Sequence, residues 1–192
     1  AATWSRRYRG LAIGLLVGAL TVGSASPHLV HALSSLAWEQ VILVSSGMAI
    51  LGGVIVLALI KDGPFTAPQA PFNPSIAINC LAQRGIRLAN LGYLGHMWEL
   101  YAMWTWVPVF LADGLVARSG SATLAGAIAF GVIAMGGIGS VVAGALADRF
   151  GRTVIASGAM VLSGSAALVA AVLYNAPLIV ITPVLLVWGL TV

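Results

Sequence analysis

The chain has 192 residues, of which 60% are hydrophobic and only 7% charged, and its mean hydropathy is +1.02. A soluble domain carries about a quarter charged residues, so this composition excludes a cytosolic globule, a disordered tail and a secreted disulfide scaffold. The net charge of +4 comes from nine basic and five acidic residues, too dispersed for a nucleic-acid surface. A lone cysteine, Cys80, cannot form an intrachain disulfide. Lipid is the solvent that fits.

The gaps between charges set the elements, since a helix needs about 20 mostly apolar residues to cross a hydrocarbon core ~30 Å thick. No Asp, Glu, Lys or Arg occurs from Gly10 to Trp38, which predicts a helix near 10–32. Its leader, Ser5-Arg6-Arg7-Tyr8-Arg9, also fits a twin-arginine export signal. The apolar run is longer than a signal's, however, and no soluble mature protein follows. The next gap, Gln40 to Ile60, predicts a helix near 36–60.

Residues 61–87 form the longest non-membrane stretch. Gly63, Pro64, Pro68, Pro71 and Pro74 prevent a helix and favour extended chain, with room for a short interfacial helix only from Ser75 to Gln83. A third span near 88–112 contains one charge, Glu99, and a fourth is expected near 121–145. The uncharged stretch from Thr153 to Val192 is broken by Tyr174-Asn175-Ala176-Pro177, giving helices near 153–174 and 177–192, the last stopping short. These runs are continuously apolar rather than alternating, so the fold class is all-α, a transmembrane bundle of about six spans, and not a barrel.

Placing the N-terminus inside puts Arg6, Arg7, Arg9, Lys61, Arg84, Arg87, Arg149 and Arg152 on the cytoplasmic face and only Arg118 outside. Trp38, Trp104 and Trp106 then fall near the outer boundary. One orientation satisfies all six spans.

Between the fourth and fifth spans stands Gly144-Ala145-Leu146-Ala147-Asp148-Arg149-Phe150-Gly151-Arg152. This loop resembles the G-x-x-x-D-R-x-G-R signature of the major facilitator superfamily of secondary transporters. The family also carries a long cytoplasmic linker between two six-helix halves. Two helices before the linker and four after it match the family's fifth to tenth helices. The run Gly92-Tyr93-Leu94-Gly95-His96-Met97-Trp98-Glu99-Leu100-Tyr101 is similar to the family's seventh helix. The resemblance implies that 1–60 closes the N-terminal half, 61–87 is the central linker, and 88–192 opens the C-terminal half. It further implies that the remaining helices of the same transporter are partners of this chain. Thr153 stands where members often carry another cation.

Gly144, Asp148, Arg149, Gly151 and Arg152 are the candidate cytoplasmic gate. Asp148 is placed to cap the following helix or to pair with Arg149 or Arg152. The alternative role is a plain anchor for a tight turn. Gly131, Gly136, Gly137 and Gly139 give the fourth span a small face suited to close packing.

Glu99 lies ~16 Å along its span from Leu88, near the midplane, where a bare carboxylate is costly. Gly92, Gly95, His96, Glu99, Met103 and Trp106 share one helical face, with Tyr93 at its edge. Glu99 is therefore the candidate protonatable group, with His96 one turn away as tuner or relay; the other reading is a buried pair that fixes packing. Tyr93, Trp98, Tyr101 and Asn90 complete the candidate substrate or proton pathway. Ser45-Ser46-Gly47 and Ser163-Gly164-Ser165 read as small packing residues, and His96-x-x-Glu99 alone is too few ligands for a metal.

The expected function is secondary transport of a small solute across a cell membrane, with protons as a possible second cargo and with no cofactor and no enzymatic chemistry. A channel or a structural membrane protein is the alternative, and an intramembrane hydrolase the weaker one.

Overall fold

The computed structural model describes residues 8–33, 36–61, 82–119 and 121–192. Six α-helices account for almost all of them: α1 (Arg9–Leu33), α2 (Trp38–Leu59), α3 (Arg84–Ser119), α4 (Ala122–Phe150), α5 (Arg152–Val172) and α6 (Leu178–Thr191). The expected helical bundle is therefore present. The twin arginines and nearly all of the proline-rich linker lie outside the described residues.

Two helices differ from the expected spans in an instructive way. α3 begins at Arg84 and ends at Ser119, beyond both charge boundaries of its apolar stretch. α4 continues to Phe150 and so absorbs most of the motif expected to be a loop. The length of an apolar run measures what lipid covers, whereas a helix ends only where the backbone must change course. Leu146-Ala147-Asp148-Arg149-Phe150 contains no such residue. Gly151 does, with φ +93°, a left-handed conformation that only glycine adopts without strain.

Four helices are long and apolar enough to cross a membrane: α2, α4, α5 and the Arg9–Val30 part of α1. α6 is apolar but has 14 residues, and α3 is diluted by Arg84, Arg87, Asn90, His96 and Glu99. The six expected spans are thus four by length and apolar character among the described residues.

α4 is the pillar of the bundle. α1 runs antiparallel along it from Gly10 beside Gly144 to Ala32 beside Gly126. Between these ends the two backbones touch. A methyl group on Gly14 would strike the carbonyl oxygen of Ser140, and one on Gly18 would sit 2.7 Å from that of Gly137. α6 approaches α4 equally closely on another side, where Gly139 meets the Leu190 carbonyl and Gly189 meets that of Val132. Lipid tails supply no hydrophobic drive for association, so small residues that bring backbones together supply the packing energy instead.

Larger side chains fill the remaining space. Met103, Val107 and Leu111 form a stripe at helical spacing on α3, buried against Ala129, Val132 and Ile133 of α4 and Ile181 and Leu185 of α6. α2 lies outside this core with no buried residue.

The glycine contacts can be tested one at a time. Gly14→Leu forces α1 away from α4 and should destabilise the protein by about 1–3 kcal/mol, the cost of overpacking a close contact. Gly23 faces open space, so Gly23→Ala should leave stability unchanged or slightly raised. Reversible unfolding in mixed micelles checks both.

Candidate functional site

Glu99 sits where three helices converge. From α5 the Ser163 hydroxyl, wholly buried, donates a hydrogen bond to Glu99 Oε1. From α6 the Trp188 indole Nε1–H donates to the same oxygen at 3.3 Å. Oε2 accepts no hydrogen bond among the described residues. The carboxylate therefore has one oxygen tied to two other helices and one that accepts no bond among the described residues. Helix geometry places the donors at matching depth: Ser163 is ~16 Å along α5 from Arg152, and Trp188 is ~15 Å along α6 from Leu178.

The other predicted residues spread around α3. His96 is half-buried on the expected side but makes no hydrogen bond to Glu99. The expected polar face is divided, with Met103 fully buried in the core and Trp106 64% exposed. Glu99 lies on the seam between them. Trp98, 80% exposed, and Tyr93 and Tyr101 project outward, and Tyr101 meets Trp104 edge-on at 5.8 Å between centroids. The Asn90 amide is satisfied within its own helix, donating to the Ile86 carbonyl at 2.9 Å. Trp104 packs against the core, with its Nε1 buried and unpartnered among the described residues.

Two site residues escaped the sequence reading. Ser163 is more than the small packing residue it resembled, and Trp188 stood out in no pattern. They lie 64 and 89 positions from Glu99, and nothing in their local sequence distinguishes them from helix filler.

The motif carries a second site at one end of the bundle. Asp148 neither caps the following helix nor pairs with Arg149 or Arg152. It reaches the first turn of α1 instead: Oδ1 accepts from the Gly10 N–H at 3.0 Å and Oδ2 from the Leu11 N–H at 3.2 Å. The reason is positional. α5 starts beyond the Gly151 turn, while the free amides of α1, with the positive end of its dipole, lie against the last turns of α4. Gly144 makes this possible, since a side chain there would strike the Gly10 carbonyl. The Arg149 guanidinium lies over the Phe150 ring, 5.1 Å from its centroid, and Arg152 opens α5 as an exposed residue.

The sequence model of the Major Facilitator Superfamily matches residues 1–192. The chain belongs to the major facilitator superfamily. No curated protein and no solved structure matches it. It is a membrane transport protein of a family whose members are transporters rather than enzymes, and its four apolar helices make it an integral membrane protein.

In this transporter chain the motif aspartate is a cap placed in trans, on a helix distant in sequence. Asp148→Ala should loosen the start of α1 by about 1 kcal/mol, the usual worth of an N-terminal cap. Asp148→Asn keeps an acceptor and loses the charge, so it should fall between wild type and alanine. Hydrogen exchange at the Gly10 and Leu11 amides reads the effect directly, rising in the same order.

Proposed function

We propose that the chain is the central part of a secondary transporter that moves a small solute by alternating access, coupled to protons through Glu99. The observation that carries this reading is the Glu99 carboxylate itself. It is held by donors from two other helices at mid-depth of the bundle, both on Oε1, and Oε2 accepts no bond among the described residues. Ionisable groups in lipid are expensive and belong to ion or substrate pathways or to structural pairs. Glu99 has no basic partner among the described residues, which favours a pathway over an ion pair.

The wider frame of this reading is supported by the motif and by the position of the proline-rich stretch. Residues 1–60 belong to one half of the transporter, 61–87 to the cytoplasmic linker and 88–192 to the other half, with the N-terminus of the chain cytoplasmic in a cell membrane. The α1–α4 contact then joins the two halves, and Asp148 latches it on the cytoplasmic side. Such a latch forms in one state of a rocking transporter and opens in the other. Trp98 and Tyr101, both exposed, face the solute route or the remaining helices.

Glu99→Gln in the complete transporter separates coupling from packing, because the amide preserves shape and an acceptor oxygen. Uptake driven by a proton gradient should fall at least about tenfold, roughly the loss of one charge-assisted interaction. Undiminished, still proton-driven uptake by this variant would falsify the coupling role.

A further inference from the structure

We infer that Ser163 and Trp188 are positioning residues that reserve Oε1 of Glu99 for helix packing and leave Oε2 as the oxygen that takes the proton. The inference rests on the proposed role of Glu99 in coupling. It adds two residues on two other helices and a division of labour between the carboxylate oxygens.

The geometry is unusual for a carboxylate at this depth. Both donors converge on one oxygen, from α5 and from α6, and the second oxygen has none among the described residues. Ser163 is completely buried, so its hydroxyl cannot exchange Glu99 for water without opening the α3–α5 contact. No other ionisable group competes from the surrounding helices. α5 and α6 carry no Asp, Glu, Lys, Arg or His after Arg152, and α4 carries only Asp148 and Arg149 at its far end. On α3 the nearest are His96, Tyr93 and Tyr101, none hydrogen-bonded to Glu99.

The consequence for coupling is direct. With Glu99 ionised, both bonds to Oε1 are charge-assisted, roughly twice as strong as neutral ones. A proton from water bonds to Oε2 and makes the group a neutral acid, and Oε1 becomes a carbonyl oxygen holding two weakened bonds. The proton's return to water, on either side, restores them. Occupancy of Oε2 thereby sets how firmly α3 is tied to α5 and α6.

The test uses the complete transporter in lipid nanodiscs with ¹⁵N-labelled tryptophan. The Trp188 indole resonance, identified by its loss in Trp188→Phe, should move with pH in the wild type and stay fixed in Glu99→Gln. In parallel, Ser163→Ala and Trp188→Phe should lower proton-driven uptake by about tenfold. Ser163→Thr, which keeps the hydroxyl, should restore uptake to within about twofold of wild type. A Trp188 resonance that ignores pH, or that titrates equally in Glu99→Gln, overturns the inference. So does full uptake by both Ser163→Ala and Trp188→Phe where Glu99→Gln is inactive. Full uptake by Glu99→Gln while the Trp188 resonance still titrates with Glu99 overturns the coupling role and leaves the positioning assignment standing.

Discussion

The contact of α1 with α4, backbone against backbone, is the constraint from which the rest of the arrangement follows. Glycines at 10, 14 and 18 and small residues at 137, 140 and 144 let the two helices lie together over nearly their full length. Only at that distance can the Asp148 side chain reach the first amides of α1. A single bulky residue in this seam would lift α1 away and strand the carboxylate. The motif's glycine and aspartate therefore work as one device: Gly144 sets the spacing and Asp148 uses it.

The same helix organises the opposite side of the molecule by the same means. Gly139 and Gly189 draw α6 onto α4, which carries Trp188 to the level of Glu99. α5, turned back by Gly151, brings Ser163 to that level from a different direction. The cost of holding a carboxylate at this depth is offset by two donors, one of them the buried Ser163 hydroxyl, which water does not reach. Neither donor is charged. An Arg or Lys partner would have neutralised the carboxylate, and neither donor does.

Most of the fold was legible from where charges are absent. Every helix but α3 falls within a few residues of an uncharged stretch, and the break at 174–177 was signalled by Asn175 and Pro177. Helix ends were less legible at Asp148 and Arg149, because charge limits immersion in lipid without limiting helicity. The site was half legible. Glu99 announced itself as a charge where charge is expensive, and the motif announced Asp148. Their partners did not: Ser163, Trp188 and the amides of Gly10 and Leu11 are ordinary residues made important by helix placement across 64 or more positions. His96 was the natural candidate by local spacing, yet local spacing sets proximity along one helix and not which donors arrive from others.

The two contact types differ in what separation would cost, and that difference bears on movement. Parting α1 from α4 gives up the close backbone packing of the glycine seam but strips no buried charge of its donors. The exposed Asp148 bonds lie at a helix end, where water can take over both partners. Parting α3 from α5 and α6 would instead strip the Glu99 carboxylate of both donors to Oε1 at a depth where charge is costly. The bundle therefore has one seam held by close packing and one tied through the Glu99 carboxylate. In the alternating access proposed above, α1 parts from α4 while α3, α5 and α6 stay with α4 as one body. In the coupling proposed for Glu99, the proton is the agent that weakens the tie through the carboxylate.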